Sequence, residues 1–516
     1  MSAENCIEVE LKLRLLKTEN CPNIFAAPAL AGLKTSVPTK ETLASKYFDS
    51  TDGVLNKAGI AYRIRREGEQ LIATVKAGGT SAGGLHERQE WNIKIDQYQP
   101  SIDYFMATQA GQLLKNVLGD NQLEPVLETV FERQKTMVTT ADGSLIELAL
   151  DQGVIIAGQI EETIAEVELE LKEGNSAAVL GLGAELAAWM PLALEPRSKY
   201  FRGLVLAGLA TAFKPDTIRR PQLTASAASG MRRVVISQLH KVLSAQDTFL
   251  VNPNVSETFY ELGRELRRTS SLLSFAQPLV AVEDYTYWQE QLNNWIKSLE
   301  GLNNIDITLK AWMDATNNGE LALTPPPWLG MLLTAEREKI ACEEVAAFMA
   351  GRLTATMLSL WAWLAGQAFL ATGDSVLLRD FVGARLAQWV EKLRLVGKEF
   401  NIKDSLEFDS VQSQSKKIRD VLETWSLKDA KTKLLGVRIR RLDENLRTMA
   451  DSGIITKFLD EWMNLHASRT IYRDAGVVTG WIARDTFEAR INFTKVWPRF
   501  RQAGKRWFRT WSDKFK

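Results

Sequence analysis

Over the first two hundred residues, apolar and polar positions trade places one by one. Ile7-Glu8-Val9-Glu10-Leu11-Lys12-Leu13-Arg14 alternates cleanly, as do Tyr62–Arg66, Leu71–Lys76 and Glu166–Lys172. A period of two is that of a half-buried β-strand. Helical stretches are expected near Lys40–Tyr47, Asp103–Leu118 and Ala177–Trp189. Residues 214–229 (KPDTIRRPQLTASAAS) carry two prolines and small polar residues, which places a linker at 211–229 between a domain at 1–210 and another at 230–516. Beyond residue 230 apolar residues return every three or four positions through 257–275, 335–371, 376–400 and 409–450, the spacing of packed helices. Pro325-Pro326-Pro327 divides this part into two halves, and Arg264-x-x-Arg267-Arg268 in the first resembles Arg438-x-Arg440-Arg441 in the second. The fold class expected is α+β: an antiparallel sheet followed by an all-α bundle of two similar halves.

A chain of 516 residues with 45% hydrophobic and 24% charged residues has ample material for large cores. Its 63 basic and 63 acidic residues cancel, but unevenly. Residues 1–210 hold 20 Lys/Arg against 28 Asp/Glu, a net of −8, and the remainder holds 43 against 35, a net of +8. Cations and polyanions are therefore expected to meet different parts of the chain. Cys6, Cys21 and Cys342 have no CxxC spacing, which argues against a disulfide framework or structural zinc and for a reducing cytoplasm. His86, His240 and His466 are too scattered to predict a histidine metal site. The N-terminus lacks the pattern of a signal peptide. Leu353–Gly373 has no charge and the length of a membrane span, yet its Thr354, Thr356, Ser359, Gln367 and Thr372 read as a buried core helix.

Residues two apart on a strand share a face. Glu8, Glu10 and Lys12 thus lie together; so do Arg63 with Arg65, Thr74 with Lys76, Arg88 with Glu90, Glu147 with Asp151, and Glu166, Glu168 and Glu170 with Lys172. Each strand alone reads as the solvated side of a sheet. Together they put carboxylates and guanidinium or ammonium groups on one surface, which makes sense if that surface closes into a barrel. Carboxylates would then hold hard divalent cations through oxygen, and the basic groups would bind phosphate oxygens. No Ser-His-Asp or Cys-His arrangement, GxxxxGK[ST] or GxGxxG is present, and Gly78, Gly79, Gly83 and Gly84 read as a flexible loop.

The first of these strands, Glu8-x-Glu10-x-Lys12, resembles the signature of the CYTH domains, the triphosphate tunnel metalloenzymes. Later elements follow in that family's order: Tyr47-Phe48-Asp49-Ser50, Arg63-Ile64-Arg65, Thr74-Val75-Lys76, Arg88-x-Glu90, Thr129-x-x-Glu132-Arg133, Glu166 to Lys172 and Ser198-Lys199-Tyr200-Phe201-Arg202. The resemblance implies an eight-stranded antiparallel β-tunnel with flanking helices. It implies that Glu8, Glu10, Glu168 and Glu170 hold Mg²⁺ or Mn²⁺, although Glu166, Glu168 and Glu170 share one register and leave open which pair touches metal, and that Lys12, Arg63, Arg65, Lys76, Arg88, Arg133 and Lys199 grip a triphosphate. Glu8, Glu10, Lys12, Arg65 and Glu90 form the expected catalytic set, with Glu147 and Asp151 as second-metal or orienting groups. The implied activity is hydrolysis of inorganic triphosphate to pyrophosphate and phosphate. Alternatives are a hydrolase or cyclase acting on a nucleoside or thiamine triphosphate, or a non-catalytic polyphosphate-binding adaptor.

Residues from about 220 onward resemble the CHAD domain, a helical module associated with polyphosphate. The matching pieces are Leu266-Arg267-Arg268-x-x-Ser271-Leu272-Leu273 and Val437-Arg438-Ile439-Arg440-Arg441-Leu442. By that resemblance Arg264, Arg267, Arg268, Arg438, Arg440 and Arg441 would contact polyphosphate. Thr258 and Leu435 stand where the family's histidines are expected. The tail from Trp481 carries ten Lys/Arg against three Asp/Glu among four tryptophans and five phenylalanines. It reads as a last helix packed on the bundle, with an interfacial membrane contact as the alternative; no nucleic-acid partner is expected.

Overall fold

The computed structural model describes residues 4–17, 19, 21–82, 85–210, 221–317, 328–366, 369, 373–396, 405–425, 430–466 and 468–512. They form two compact units, Met1–Arg219 with Ala347–Gln367, and Arg220–Ala346 with Ala368–Lys516.

The first unit is built on strands β1 (Glu4–Leu15), β2 (Lys34–Thr35), β3 (Thr39–Asp49), β4 (Ile60–Glu67), β5 (Gln70–Ala82), β6 (Leu85–Ile95), β7 (Glu124–Thr139), β8 (Leu145–Ala157), β9 (Ile160–Glu173) and β10 (Leu192–Leu194). Eight of them pair antiparallel in the order β1-β6-β5-β4-β3-β7-β8-β9, and pairing of β9 back to β1 closes the barrel. β2 adds to β7 and β10 to β1. Closure leaves these strands no open edge and gives every strand an inside and an outside. Helices α1 (Val54–Lys57) and α2 (Gln109–Leu118) cover one outer face, over a core that includes Tyr62, Val75, Trp91, Phe105 and Leu114. On the opposite side α3 (Ser176–Trp189) packs on β1 and β9. Helix α4 (Lys199–Leu206) meets β7, β8 and β9, and its Leu204 packs with Leu43, Tyr47, Leu127, Phe131, Ile155 and Ile164.

Two local expectations change. Lys40–Tyr47 belongs to strand β3, not to a helix; pairing to β4 on one side and β7 on the other overrides its local composition. Gly78 and Gly79 lie inside β5 at an irregularity between Ala77 and Thr80, not in a loop. There Gly79 has φ 91°, and a Cβ would fall 1.8 Å from the Glu87 carbonyl oxygen, so the bulge requires glycine. Gly83 and Gly84 lie outside the described residues. The uncharged stretch after Arg352 forms a buried helix over residues 352–365 that packs on α3 and belongs to the barrel unit. Among the described residues no single helix is long and apolar enough to cross a membrane.

Numbering helices in chain order makes that segment α10 (Arg352–Ala365). The helical unit comprises α5 (Ala227–Val251), α6 (Ser256–Ala276), α7 (Val282–Ser298), α8 (Glu300–Asn317), α9 (Trp328–Phe348), α11 (Leu378–Leu395), α12 (Ser405–Trp425), α13 (Ala430–Leu465) and α14 (Arg469–Ser512). Helix α5 starts at Ala227, capped by Ser226, inside the stretch expected to be linker. The expected continuous helix at 335–371 is broken at Gly351, and the one at 409–450 falls in α12 and α13. Pro325–Pro327 lie outside the described residues. In the tail Trp497, Phe500 and Trp507 are buried, Trp507 Nε1 donates to Thr432 Oγ1 at 2.8 Å, and Arg484 stacks on Trp481 at 3.8 Å. The side chain of Trp511 lies outside the described residues.

Candidate active site inside the barrel

Barrel registers bring the charged residues of distant segments face to face. Glu8 lies opposite Arg88, and Glu10 opposite His86. Across the closing seam Glu10 faces Glu170 and Lys12 faces Glu168. Lys76 pairs with Glu90, Arg133 with Asp151, and Asp151 with Glu166. The alternate positions on the same strands, Leu11, Leu13, Val167 and Leu169, are fully buried on the outer side, where Leu11 and Leu169 meet Gly183 of α3. A one-residue slip would turn every charge outward, so the apolar packing fixes the site.

The interior contains two linked charge clusters. In one, Lys76 Nζ donates to both oxygens of Glu8 at 2.7 Å and lies 3.2 Å from Glu90, which Arg63 approaches at 3.6 Å. In the other, Lys12 bridges Glu10 at 2.8 Å and Glu168. Arg133 makes a bidentate pair with Asp151, both bonds 2.7 Å, and also reaches Glu168. Lys199 enters from the first turn of α4 to Asp151 at 2.7 Å, Glu168 at 2.8 Å and Glu166. One helical turn later Arg202 binds Glu166 at 3.0 Å, Glu162 at 2.6 Å and the Thr163 carbonyl at 2.6 Å. Arg65 is only lightly engaged, by Ser45 Oγ and Glu67, each at 3.3 Å. Arg88 makes no hydrogen bond or ion pair among the described residues. Glu170 sits farther out, paired with Lys172 at 2.6 Å.

These contacts shift the acids in opposite directions. Burial, reinforced by the negative charge of Glu168, pushes the Glu10 carboxyl up to about 8. Burial would raise Glu168 too, but Lys12, Lys199 and Arg133 hold it well below the usual carboxylate range. Lys76 and Arg63 likewise overcome burial and lower Glu90. Arg63 and Arg65 overcome burial to lower the Tyr47 phenol, which stacks on Tyr200 at 5.2 Å.

Asp151, Glu166 and Glu168 each offer a carboxylate oxygen within 4.8 Å of the others, all three buried, and could hold a metal ion. An all-oxygen donor set suits a hard divalent cation. Of the expected ligands, Glu10 and Glu168 meet around Lys12, whereas Glu8 belongs to the Lys76 cluster and Glu170 to the outer position.

The expected set leaves out Glu166, Arg202 and His86. Glu166 shares the face of Glu168 and is fully buried, so its place in the alternation is the available signal. His86 lies two residues before Arg88 on the inward side of β6 and is 2% exposed. Arg202 follows Lys199 by three, a spacing that only the helix makes meaningful.

In the helical unit the basic positions differ in availability. Arg264 is held by Glu261 at 3.0 Å and Glu265 at 2.9 Å, and Arg268 by Glu423 at 2.5 Å. Arg440 lies 3.6 Å from Glu423. Arg267 lines a cavity of about 390 Å³ with Tyr260, Asn303, Asn304 and Lys457. Burial there, with Arg419, Arg447 and Arg264 nearby against Asp420, lowers its pKa. Arg438 and Arg441 make no ion pair among the described residues. Thr258 is buried and bonded to the Asn252 and Val255 carbonyls, and Leu435 is fully buried, so both serve packing.

A family model described as the CYTH domain matches residues 6–203, and one described as the CHAD domain matches residues 234–460. The chain is similar to an inorganic triphosphatase of Haemophilus influenzae, 34% identical over 164 residues, or 32% of this chain and 46% of that protein. It thus spans about half the length of that relative. Among solved structures, a Hippeastrum adenylyl cyclase candidate with a dominant triphosphatase activity is 18% identical, with a TM-score of 0.29 over 40% of this chain and 100% of the other. The CHAD domain of Ricinus communis is 15% identical, with a TM-score of 0.43 over 58% of this chain and 97% of the other.

Proposed function

Since residues 6–203 are a CYTH domain and residues 234–460 a CHAD domain, we propose that the barrel hydrolyses inorganic triphosphate to pyrophosphate and phosphate with Mg²⁺ or Mn²⁺. The observation that carries this reading is the interleaving of buried Glu8, Glu10, Glu90, Asp151, Glu166 and Glu168 with buried Lys12 and Lys199 and half-buried Lys76 inside a closed barrel. Similarity to an inorganic triphosphatase over the barrel region supports the substrate.

Glu10, Glu168, Glu166 and Asp151 would hold the cation, with Glu8 close to the same face. A bound divalent cation withdraws charge from phosphoryl oxygens and makes water more acidic. Lys12, Lys199 and Arg133 exchange carboxylate oxygens for phosphate oxygens as cation and substrate arrive. Arg88, which makes no ion pair among the described residues, and the lightly held Arg65 would take phosphate oxygens directly, while Lys76 binds Glu8 and, with Arg63, keeps Glu90 ionised. Fixed cations aimed at a phosphoryl group lower the barrier because they need no reorganisation as charge develops. In the helical unit, Arg267 and the basic positions Arg438 and Arg441 are the groups with which polyphosphate would engage.

The test is phosphate release by the full chain from tripolyphosphate, ATP, thiamine triphosphate and long-chain polyphosphate, each with Mg²⁺, Mn²⁺ or chelator. Cation-dependent release fastest from tripolyphosphate is expected. Faster release from an organic triphosphate would reassign the substrate. No release, with polyphosphate still retained, would make the protein an adaptor.

A further inference from the structure

The bundle uses one face of α14 and leaves the other in water. Phe493, Trp497, Phe500 and Trp507 are buried, and the helix packs on α8, α11 and α13. On the far side Phe487, Ile491, Lys495, Arg499, Gln502 and Lys505 follow one another at steps of three or four, and all six are exposed. Phe487 is 64% exposed and Ile491 45%. From Ala489 to Ser512 the helix has seven Lys/Arg and no Asp/Glu. Lys495, Arg499 and Lys505 make no ion pair among the described residues. Just before the stripe, Trp481 lies beneath Arg484 at 3.8 Å, and Arg484 also reaches Asp485 at 2.8 Å. All of α14 lies beyond residue 460, where the CHAD match ends.

Internal packing accounts for the buried face only. A solvated helix face needs polar side chains, not one sign of charge, and Lys495 and Arg499 repel each other one turn apart. Phe487 and Ile491 add apolar area left in water beside that run. A partner that relieves both must be anionic over several turns and must offer an apolar layer next to its charges. An anionic bilayer does: headgroup phosphates meet the ammonium and guanidinium groups, and the acyl boundary takes the apolar side chains. Tryptophan, present at the start of the stripe as Trp481, favours the same depth. Polyphosphate would neutralise the cations but leave Phe487 and Ile491 in water. We propose that the outer face of α14 lies on an anionic lipid surface, with Lys495, Arg499 and Lys505 against headgroup phosphates and Phe487 and Ile491 in the acyl boundary. The contact is independent of what the barrel hydrolyses.

Vesicle sedimentation of the full-length protein tests it. The protein should sediment with vesicles of two-thirds phosphatidylcholine and one-third phosphatidylglycerol, and not with phosphatidylcholine alone; added salt should weaken the binding. Each cation at an anionic surface is worth about fivefold in partition, so Lys495→Gln, Arg499→Gln and Lys505→Gln together should weaken it roughly 100-fold. Phe487→Ser with Ile491→Ser should weaken it roughly tenfold, as for about two methylenes leaving the acyl boundary. These side chains are exposed, so both variants should unfold at the wild-type temperature. Should either unfold early, Lys495→Glu and Phe487→Ser decide singly. A wild type that does not sediment with the anionic vesicles, or that sediments equally after the glutamine changes, would overturn the proposal. Binding lost with the glutamines but unchanged with the serines would overturn it too, in favour of a polyanion such as polyphosphate on this face. None of these results alters the reading of the barrel.

Discussion

Cutting the chain after Arg219 should not release a working barrel, because the barrel unit is discontinuous. Helix α10 arrives from more than 130 residues beyond that cut and packs on α3, which in turn presses on β1 and β9, the strands bearing Glu8, Glu10, Lys12, Glu166 and Glu168. Leu353, Met357, Leu358, Leu360, Trp361 and Leu364 of α10 are all buried. If half of these six side chains lose their burial at about 1.5–3 kcal/mol each, the fragment forfeits ~5–9 kcal/mol. That is comparable to the entire net stability of an ordinary domain. Expression, thermal unfolding and tripolyphosphate hydrolysis of residues 1–219 should therefore show a poorly folded, inactive fragment. Joining residues 347–367 to it through a flexible linker should restore both properties. A finer perturbation is Gly351→Ala at the turn into α10. Gly351 has φ 79°, and a Cβ would sit 2.8–2.9 Å from the carbonyl oxygens of Met190 and Ala187 and the Leu192 nitrogen. Left-handed backbone costs an alanine about 1–2 kcal/mol before those contacts are counted, so a clear drop in Tm is expected. A fragment 1–219 that unfolds at the full chain's temperature and hydrolyses tripolyphosphate at its rate would refute the argument that α10 is part of the barrel unit.

Glu10→Gln should reduce metal-dependent phosphate release at least 100-fold while leaving circular dichroism unchanged; near-normal turnover would remove Glu10 from the cation site. Arg88→Ala should raise KM for tripolyphosphate with little effect on the Mg²⁺ concentration dependence, and an unaltered KM would show that this unpaired guanidinium does not meet substrate. A Glu10 carboxyl raised from 4.5 to about 8 keeps a proton at pH 7 that the unfolded chain has lost. Its contribution to stability in chelator is therefore full below about pH 4.5 and is lost as pH rises through about 8. Cation binding should expel that proton, so calorimetry in buffers of different ionisation enthalpy should find close to one proton released per chain at pH 7 and nearly none at pH 9.5. Arg267→Ala should weaken retention on long-chain polyphosphate more than Arg264→Ala, since Arg264 is already held by Glu261 and Glu265; equal effects would mean that the cavity plays no part.

What could be read from the sequence was whatever the chain encodes locally. Strands β1 and β9 show their inward charges and outward leucines at a period of two, and closure of the barrel brings together residues that the alternation had already assigned to one face. Strand β3 was obscured because Thr39–Asp49 alternates weakly, and its two neighbouring strands, not its propensity, make it extended. Glu166 is separated from Glu168 by the same step as Glu170, so alternation alone does not say which of the three reaches the deepest cluster; Lys199 and Arg202 on α4 settle that. His86 was hidden for a different reason. A single histidine among acidic and basic neighbours gives no spacing signal, and only the β1–β6 register reveals that it looks inward. That α10 belongs to the barrel unit depends on a contact with α3 across a long stretch of chain, which no local pattern records.

The interior resolves a difficulty that its composition poses. Charges buried at this density destabilise a fold unless each is paired, and here the pairing is largely internal: Lys12 between Glu10 and Glu168, Lys76 between Glu8 and Glu90, Lys199 and Arg133 on Asp151. On the proposed reading, a divalent cation and a polyanion would bring compensating charge, so binding would be an exchange of partners: the carboxylates now held by ammonium groups would hold the cation, and the ammonium and guanidinium groups would turn to phosphate. Exchange costs less than inserting either charge alone, which means that cation and triphosphate should bind with positive coupling. By linkage the coupling must be equal in both directions. Two groups stand largely outside the internal pairing: Arg88 has no carboxylate to give up among the described residues, and Arg65 has only the 3.3 Å contact to Glu67. They can bind substrate before any exchange occurs, and they should therefore govern affinity, whereas Lys12, Arg133 and Lys199 should govern the dependence of that affinity on the cation.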